Sequence, residues 1–257
     1  MALSRTVAFV TGAGQGLGRA TALRLASQGA KVVACDISRQ HAQSVVDEIG
    51  AANAIASAAD VTVTEQVQSS MQEAIKKWGY INSAVNCAGI LIPGRTFHPK
   101  KGPMDMEKFM KVIEVNVGGS FNVIRLASGH MSTNEPDEEG QRGVIVNTAS
   151  IAAMEGQIGQ AAYSASKGAI VGMTLPIARD LAMYGVRVCT IAPGLFHTPM
   201  LAALPNDARE ALCANIPFPK RLGKPDEYAR LVQQIIENPM LNGEIIRLDG
   251  ALRMQPQ

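Results

Sequence analysis

A chain of 257 residues exceeds the common ~150-residue domain but stays within the ~250 residues that one α/β sheet can organise, so one domain over 1–257 is expected. Lys+Arg 24 against Asp+Glu 22 leave a formal charge of +2, too balanced for the basic stripe of a nucleic-acid binder. Only 18% of residues are charged while 47% are hydrophobic and 24 are glycine, which describes a well-buried chain with surface to hide between subunits.

In chain order, apolar or β-branched runs predict strands at 6–11, 31–36, 53–56, 81–86, 143–149, 186–191 and 244–248. The segments between them, 17–28, 39–49, 64–78, 105–130, 161–184 and 225–237, are long enough for crossover helices. Such alternation predicts an α/β fold: a doubly wound parallel sheet of seven strands with helices on both faces. The proline-bearing 93–103 and the polar 132–143 are expected to be loops. In a sheet of this kind ligands bind beyond the carboxyl ends of the strands, so the residues just after each strand matter most.

Cys35, Cys87, Cys189 and Cys213 form no C-x-x-C pair and no zinc-ligand spacing, and three lie in apolar runs. A reducing, intracellular compartment is the expectation. No apolar stretch reaches the ~18 residues of a membrane span, and the first strand-like run begins near Thr6, so a soluble chain without a cleavable presequence is expected.

The first strand runs straight into Thr11-Gly12-Ala13-Gly14-Gln15-Gly16-Leu17-Gly18 and then into a helical pattern. Glycines there permit a tight turn and close approach of backbone to a pyrophosphate, whose charge meets the amides of the helix N-terminus. Asp36 ends the second strand 18 residues after Gly18, near the ~20-residue interval at which an acid reaches the adenosine ribose. A carboxylate at that point accepts from a 2′-hydroxyl and repels a 2′-phosphate, and Gln15 brings no compensating cation. NAD is therefore expected over NADP, with Arg39 as the one basic side chain near enough to favour the phosphate. Asp60 and Val61 are candidates for the adenine edge, and Asn86-Cys87-Ala88-Gly89 for close contact with the dinucleotide.

The fifth predicted strand delivers Ser150, and the following helix carries Tyr163 and Lys167 four residues apart, on one face. Unit charges ~4 Å apart at an effective dielectric of ~20 interact by ~4 kcal/mol, so an ammonium beside the phenol is expected to bring its pKa toward neutrality. A tyrosine so tuned can serve as acid or base.

T-G-x-x-x-G-x-G, the strand-end Asp36, Asn86-Cys87-Ala88-Gly89, Ser150 and Tyr163-x-x-x-Lys167 together resemble the short-chain dehydrogenase/reductases over the whole chain. That resemblance implies a Rossmann-like fold and hydride transfer. Under it Tyr163 exchanges the substrate proton, Ser150 hydrogen-bonds the substrate oxygen, and Lys167 binds the nicotinamide ribose. Asn116 matches the asparagine that holds a helix open for a relay water, while Phe196 and Thr198 match the contacts to the carboxamide.

Longer stretches, such as 141–150, 156–163 and 242–254, resemble a branch of the family that oxidises short or branched 3-hydroxyacyl-CoA esters with NAD, in fatty-acid and isoleucine breakdown. The branch also implies side activity on hydroxysteroids, a homotetramer, and the mitochondrial matrix in a eukaryote or the cytoplasm in a bacterium. From the residues themselves, Lys100-Lys101 is either a solvated pair or a contact to the CoA phosphates, and Gln160 either a substrate contact or a surface amide. Leu195, Met200, Leu201 and Leu204 form either an apolar lid or part of the core. Ala161, Ala162, Ala165, Gly168, Ala169 and Gly172 spread small residues around one helix, which fits packing against both the sheet and a partner subunit. The alternatives to a 3-hydroxyacyl-CoA dehydrogenase are an NADP-dependent 3-oxoacyl-thioester reductase and a nucleotide-fold scaffold acting through protein partners.

Overall fold

The computed structural model describes residues 1–202 and 213–256. Its main sheet is built from β1 (Val7–Thr11), β2 (Lys31–Asp36), β3 (Ala54–Ala58), β4 (Ser83–Asn86), β7 (Gly143–Thr148), β8 (Val186–Pro193) and β9 (Ile245–Leu248). All seven pair in parallel, in the order β3-β2-β1-β4-β7-β8-β9. The helices are α1 (Gly16–Ser27), α2 (Arg39–Ile49), α3 (Thr64–Trp78), α4 (Met106–Ile113), α5 (Ser120–Met131), α6 (Ala161–Ala182), the short α7 (Pro199–Ala202) and α8 (Pro225–Glu237).

Alternation along the strands divides the core in two, because successive side chains leave opposite faces of a pleated sheet. Ala8, Val10, Val32, Ala34, Val144 and Val146 pack on one side with Leu25 of α1, Val45 of α2, and Tyr228 and Val232 of α8. Their neighbours Val7, Phe9, Val33, Cys35 and Ile145 pack on the other with Met71 of α3, Ile124 of α5 and Ile177 of α6. Strands buried on both faces explain why the predicted segments read as continuous apolar runs rather than alternating ones.

Local signals set the helix ends. The Ser38 hydroxyl accepts from His41 N–H at 3.3 Å and the Asp105 carboxylate from Glu107 N–H at 2.9 Å, capping α2 and α4. Gly79 ends α3 in the left-handed conformation at φ 90°.

The single helix expected over 105–130 is instead α4 and α5 joined through a π-helical stretch, Glu114–Gly119. The loop expected at 93–103 contains a two-stranded antiparallel hairpin, β5 (Phe97–His98) with β6 (Gly102–Pro103), where Gly102 supplies φ +76°. No helix among the described residues is long and apolar enough to cross a membrane.

The strand order reverses between β1 and β4, and sheets of this kind take ligands beyond the carboxyl ends at such a switch point. The backbone is crowded at this point. A Cβ on Gly18 would sit 2.2 Å from the Gly12 carbonyl oxygen, and one on Gly12 would sit 2.9 Å from Ala88 Cα. Gly18→Ala is expected to cost about 3 kcal/mol or more, because the obstacle is backbone and cannot rotate away. Gly129→Ala in α5, where an added Cβ meets nothing within 4 Å, is expected to stabilise by about 1 kcal/mol through helix propensity. Urea unfolding of both variants checks the pair; equal effects would remove the steric account.

Candidate active site

The turn after β1 is locked into the site before any ligand is considered. Ala13 N–H donates to the Cys35 carbonyl at 3.0 Å, and Gly14 N–H donates to Asp36 Oδ2 at 2.9 Å. The other carboxylate oxygen of Asp36 accepts from Ser38 N–H at 2.9 Å. Asp36 is buried, yet each oxygen keeps a further lone pair for a hydroxyl. Arg39 lines a surface hollow of about 270 Å³ with Ala58, Glu65 and Glu73.

Thr11, at the end of β1, was not among the expected site residues. Its hydroxyl accepts from both Cys87 and Ala88 N–H at 3.2 Å, which fixes the bend after β4 against the glycine loop. Asn86 turns its side chain into the sheet, where Nδ2 donates to Asn147 Oδ1 at 2.9 Å. Of the four-residue motif, then, the backbone of Cys87, Ala88 and Gly89 borders the cleft, while the Asn86 amide braces β4 against β7. Asp60 likewise spends its carboxylate locally, accepting from Thr62 N–H at 2.9 Å and Thr62 Oγ1 at 2.7 Å. Those bonds hold it below the usual carboxylate range. Val61 is buried, and its carbonyl accepts from Asn122 Nδ2 at 2.8 Å.

Ser150 follows β7 and caps a 3-10 turn, Ile151–Ala153, accepting from Ala152 N–H at 3.1 Å. The same hydroxyl lies close enough to the Tyr163 phenol to draw its pKa down. Lys167 stands one turn further along α6, is buried, and donates from Nζ to the Thr148 carbonyl at 2.7 Å. A Cβ on Gly89 would lie 3.6 Å from that Nζ, so the ammonium reaches the bend after β4. Ser150, Tyr163 and Lys167 thus meet at the switch point, although they belong to a strand end and a separate helix.

The electrostatic expectation for Tyr163 needs correction. Lys167 Nζ sits over the aromatic ring, 5.7 Å from its centroid, and points to a carbonyl rather than to the phenol oxygen. Burial pushes the phenol above its ordinary value, with the Ser150 hydrogen bond acting the other way. Lys167 itself is brought down to about 8, because burial disfavours its charge and a neutral carbonyl is a weak substitute for water.

Asn116 lies within the π-helical stretch and is fully buried. Its Oδ1 accepts from Ile90 N–H at 2.8 Å, while Nδ2 donates to the Ile90 carbonyl at 2.9 Å and to Ser166 Oγ at 3.0 Å. The amide therefore ties the segment after β4 to α6, one residue before Lys167.

The loop after β8 closes the other side. Phe196 is buried with its ring against Gly223, and the Thr198 methyl lies 3.4 Å from where a Gly16 Cβ would be. Gln160 bonds within its own loop, its Oε1 accepting from Gln157 N–H at 3.1 Å. Leu195 packs with Ile151, Ile216 and Leu252, and Leu201 is half-buried in α7, whereas Leu204 and the Met200 side chain lie outside the described residues. Lys100 and Lys101 are exposed at the β5–β6 hairpin.

Supporting residues beyond the expected set include Thr148 and Tyr228. The Tyr228 hydroxyl lies 2.7 Å from Thr148 Oγ1, which donates to the Asn86 carbonyl at 2.5 Å. Thr11 opens the glycine motif, whereas position at a strand end was the only available signal for Thr148. For Tyr228, on a helix of the opposite layer, the sequence carries none.

Comparison with known proteins fits this geometry. The family model for short chain dehydrogenases matches residues 6–209. The rat protein named 3-hydroxyacyl-CoA dehydrogenase type-2 is 57% identical over 251 residues, covering 97% of this chain and 96% of its own. A crystal structure of 3-hydroxyacyl-CoA dehydrogenase type-2 from Mycobacterium avium superposes with a TM-score of 0.93 at 40% identity, covering 98% of this chain and 97% of that one. That of a 3-ketoacyl-(acyl-carrier-protein) reductase from Brucella melitensis, complexed with NADH, gives 0.86 at 31% identity, covering 98% and 100%. With its glycine loop, its Ser150, Tyr163 and Lys167 at one switch point and these likenesses along its length, the chain belongs to the short-chain dehydrogenase family of nicotinamide-dependent oxidoreductases.

Proposed function

We propose that residues 1–257 form one NAD-dependent 3-hydroxyacyl-CoA dehydrogenase domain, acting reversibly on the 3-hydroxyl of short or branched acyl-CoA esters. The observation that carries this is buried Lys167, which bonds the Thr148 carbonyl two residues before Ser150, lies over the Tyr163 ring and faces the bend after β4. Support for the acyl-CoA ester comes from the rat relative, 57% identical and named for that activity.

The cleft fits a dinucleotide. Gly12 and Gly16 take φ +60° and +56°, which lets bare backbone face a pyrophosphate at the start of α1. The Gly12, Gln15, Gly16, Leu17 and Gly18 turn would hold the phosphates and Asp36 the adenosine ribose. Asp60 and Val61 would border the adenine, and Cys87, Ala88, Gly89, Phe196 and Thr198 the rest of the cofactor. When bound, NAD supplies the hydride acceptor.

The chain's own groups orient the alcohol and handle its proton. Ser150 Oγ hydrogen-bonds the substrate oxygen, and Tyr163 Oη takes the hydroxyl proton in oxidation and returns it in reduction. Lys167, fixed by the Thr148 carbonyl, offers its remaining donors to a ribose hydroxyl and its charge to the phenolate as that forms. Asn116 keeps the π-helical stretch in place behind Lys167. Gln160 would shape the substrate side through its loop, and the exposed Lys100 and Lys101 would meet the CoA phosphates.

We further infer a homotetramer. Ala161, Ala165 and Gly172 of α6 are exposed, and Phe121 of α5 and Met110 of α4 also expose large apolar groups. Hydroxysteroids are a secondary substrate class of the same site. The compartment that goes with this function is the mitochondrial matrix in a eukaryote and the cytoplasm in a bacterium, and the four free thiols suit a reducing one.

Tyr163→Phe is expected to lower NADH formation from 3-hydroxybutyryl-CoA by about 1000-fold or more while leaving NAD affinity within about twofold, as measured by steady-state kinetics and calorimetry. Wild-type kcat/KM is expected to favour NAD over NADP on the order of 100-fold, from the like charge of Asp36 and a 2′-phosphate; parity would remove Asp36 from its role. Lys167 gives a pH test on the protein without cofactor. Between about 8, its folded value, and 10.5, its ordinary one, the unfolded chain binds more protons, so stability rises with pH. From pH 7 to pH 9 the wild type is expected to gain about 1.4 kcal/mol more than Lys167→Met in urea unfolding, and a smaller gain for the wild type would contradict the buried ammonium.

A further inference from the structure

Residues 151–160 join Ser150 to the helix that bears Tyr163, so their conformation sets the separation of two reactive side chains. Past the 3-10 turn Ile151–Ala153 the segment has no regular structure of its own. It is held from outside, by residues 247–256. Arg247 Nη1 donates to Glu155 Oε1 at 2.8 Å and Arg247 Nη2 to Oε2 at 3.3 Å. Met254 N–H donates to Glu155 Oε2 at 3.0 Å, and Arg253 Nε lies 3.3 Å from Oε1. Asp249 gathers the same two arginines, with contacts of 2.7 Å to Arg247 and 3.5 Å to Arg253.

Two backbone anchors extend the clamp. Ile158 N–H donates to the Pro256 carbonyl, and Gln157 Nε2 to the Gln255 carbonyl, both at 3.0 Å. An apolar contact lies directly behind Ser150, where Ile151 packs on Leu252 with Leu195 and Met254. On the opposite edge the Gly159 carbonyl accepts from Gly94 N–H at 2.9 Å, which links the segment to the strand-end loop leading to the β5–β6 hairpin. Among the described residues none of these bonds reaches the glycine loop or Asp36. The clamp therefore bears on the substrate end of the cleft and not on its adenosine end.

The Glu155 to Arg247 pair is well suited to such a task. Their side chains are 20% and 24% exposed, sheltered enough to resist salt screening yet wet enough to avoid the full desolvation penalty of a buried pair. Several charge-assisted bonds converge on one carboxylate, which fixes its position more sharply than any single bond.

We propose that Glu155 is a positioning residue for substrate selection: clamped by Arg247 and Arg253 onto residues 249–256, it holds segment 151–160 in the form that discriminates short acyl groups from long ones. This rests on the 3-hydroxyacyl-CoA reading. Loosening the clamp lets the segment move outward, so that a short acyl group loses its wall while a long one finds room.

The test compares 3-hydroxybutyryl-CoA with 3-hydroxyoctanoyl-CoA on the full chain. In Glu155→Gln, kcat/KM for the short ester is expected to fall about 10-fold, mainly through KM, with the long ester and the KM for NAD each changing less than about twofold. Arg253→Ala, which removes only the outer and more exposed partner, is expected to move the same ratio about threefold and decides the matter if Glu155→Gln does not fold. An unchanged ratio, or equal losses for both esters and for NAD, overturns the positioning role. Absence of NADH formation by the wild type with either ester overturns the dehydrogenase reading itself, and that outcome is separate because it is read without any variant.

Discussion

The bond from Lys167 Nζ to the Thr148 carbonyl is the constraint on which the site depends. Thr148 is the last residue of β7 and Ser150 lies just beyond it, whereas Lys167 and Tyr163 share α6. One hydrogen bond of 2.7 Å therefore registers the helix against the strand end, and with it the phenol against the serine hydroxyl. Thr148 is itself held, through its hydroxyl, between Tyr228 and the Asn86 carbonyl. A group on α8, in the helical layer across the sheet, thereby steadies a carbonyl at the centre of the site. Preorganisation of this kind matters because misplacing a reacting group by about 1 Å can cost on the order of 100-fold in rate.

The glycine loop follows the same logic with backbone instead of side chains. Gly12 lies against Ala88 and Gly18 against Gly12, so β1, the bend after β4 and α1 approach more closely than any side chain allows. Thr11 then accepts two amides from that bend. Asp36 completes the arrangement by accepting from Gly14, which fixes its carboxylate at the point where it selects among ribose substituents. Its selectivity is a matter of charge placement, and the placement is set by a turn that needs no ligand to form.

Much of this was legible in the sequence because parallel sheets bury both faces of their strands. The run Lys31–Asp36 and the segment 186–191 have no polar alternation to confuse their assignment, and each predicted strand overlaps an observed one. The glycine spacing and the four-residue step from Tyr163 to Lys167 carried the site in the same way, as periodicity on known elements. What escaped was everything that depends on tertiary pairing. The opened helix at Asn116 was reachable only through the family resemblance, since no local pattern separates a π-helical turn from an ordinary helix when its bonds run to Ile90 and Ser166 far away in sequence. The hairpin at Phe97–His98 and Gly102–Pro103 is two residues per strand, below the length at which alternation can be seen.

The direction of the Tyr163 shift escaped for a deeper reason. Helical spacing says that two side chains share a face but not where their polar ends point, and here the ammonium turns to the Thr148 carbonyl. Burial then acts on both groups toward neutrality, raising the phenol and lowering the amine to about 8. At neutral pH the amine still carries most of its charge beside an uncharged phenol, and the pair responds strongly to whatever charge arrives. The low polarity that penalises Lys167 and Tyr163 in isolation is what gives each the largest leverage over the other once a proton moves between substrate and phenol.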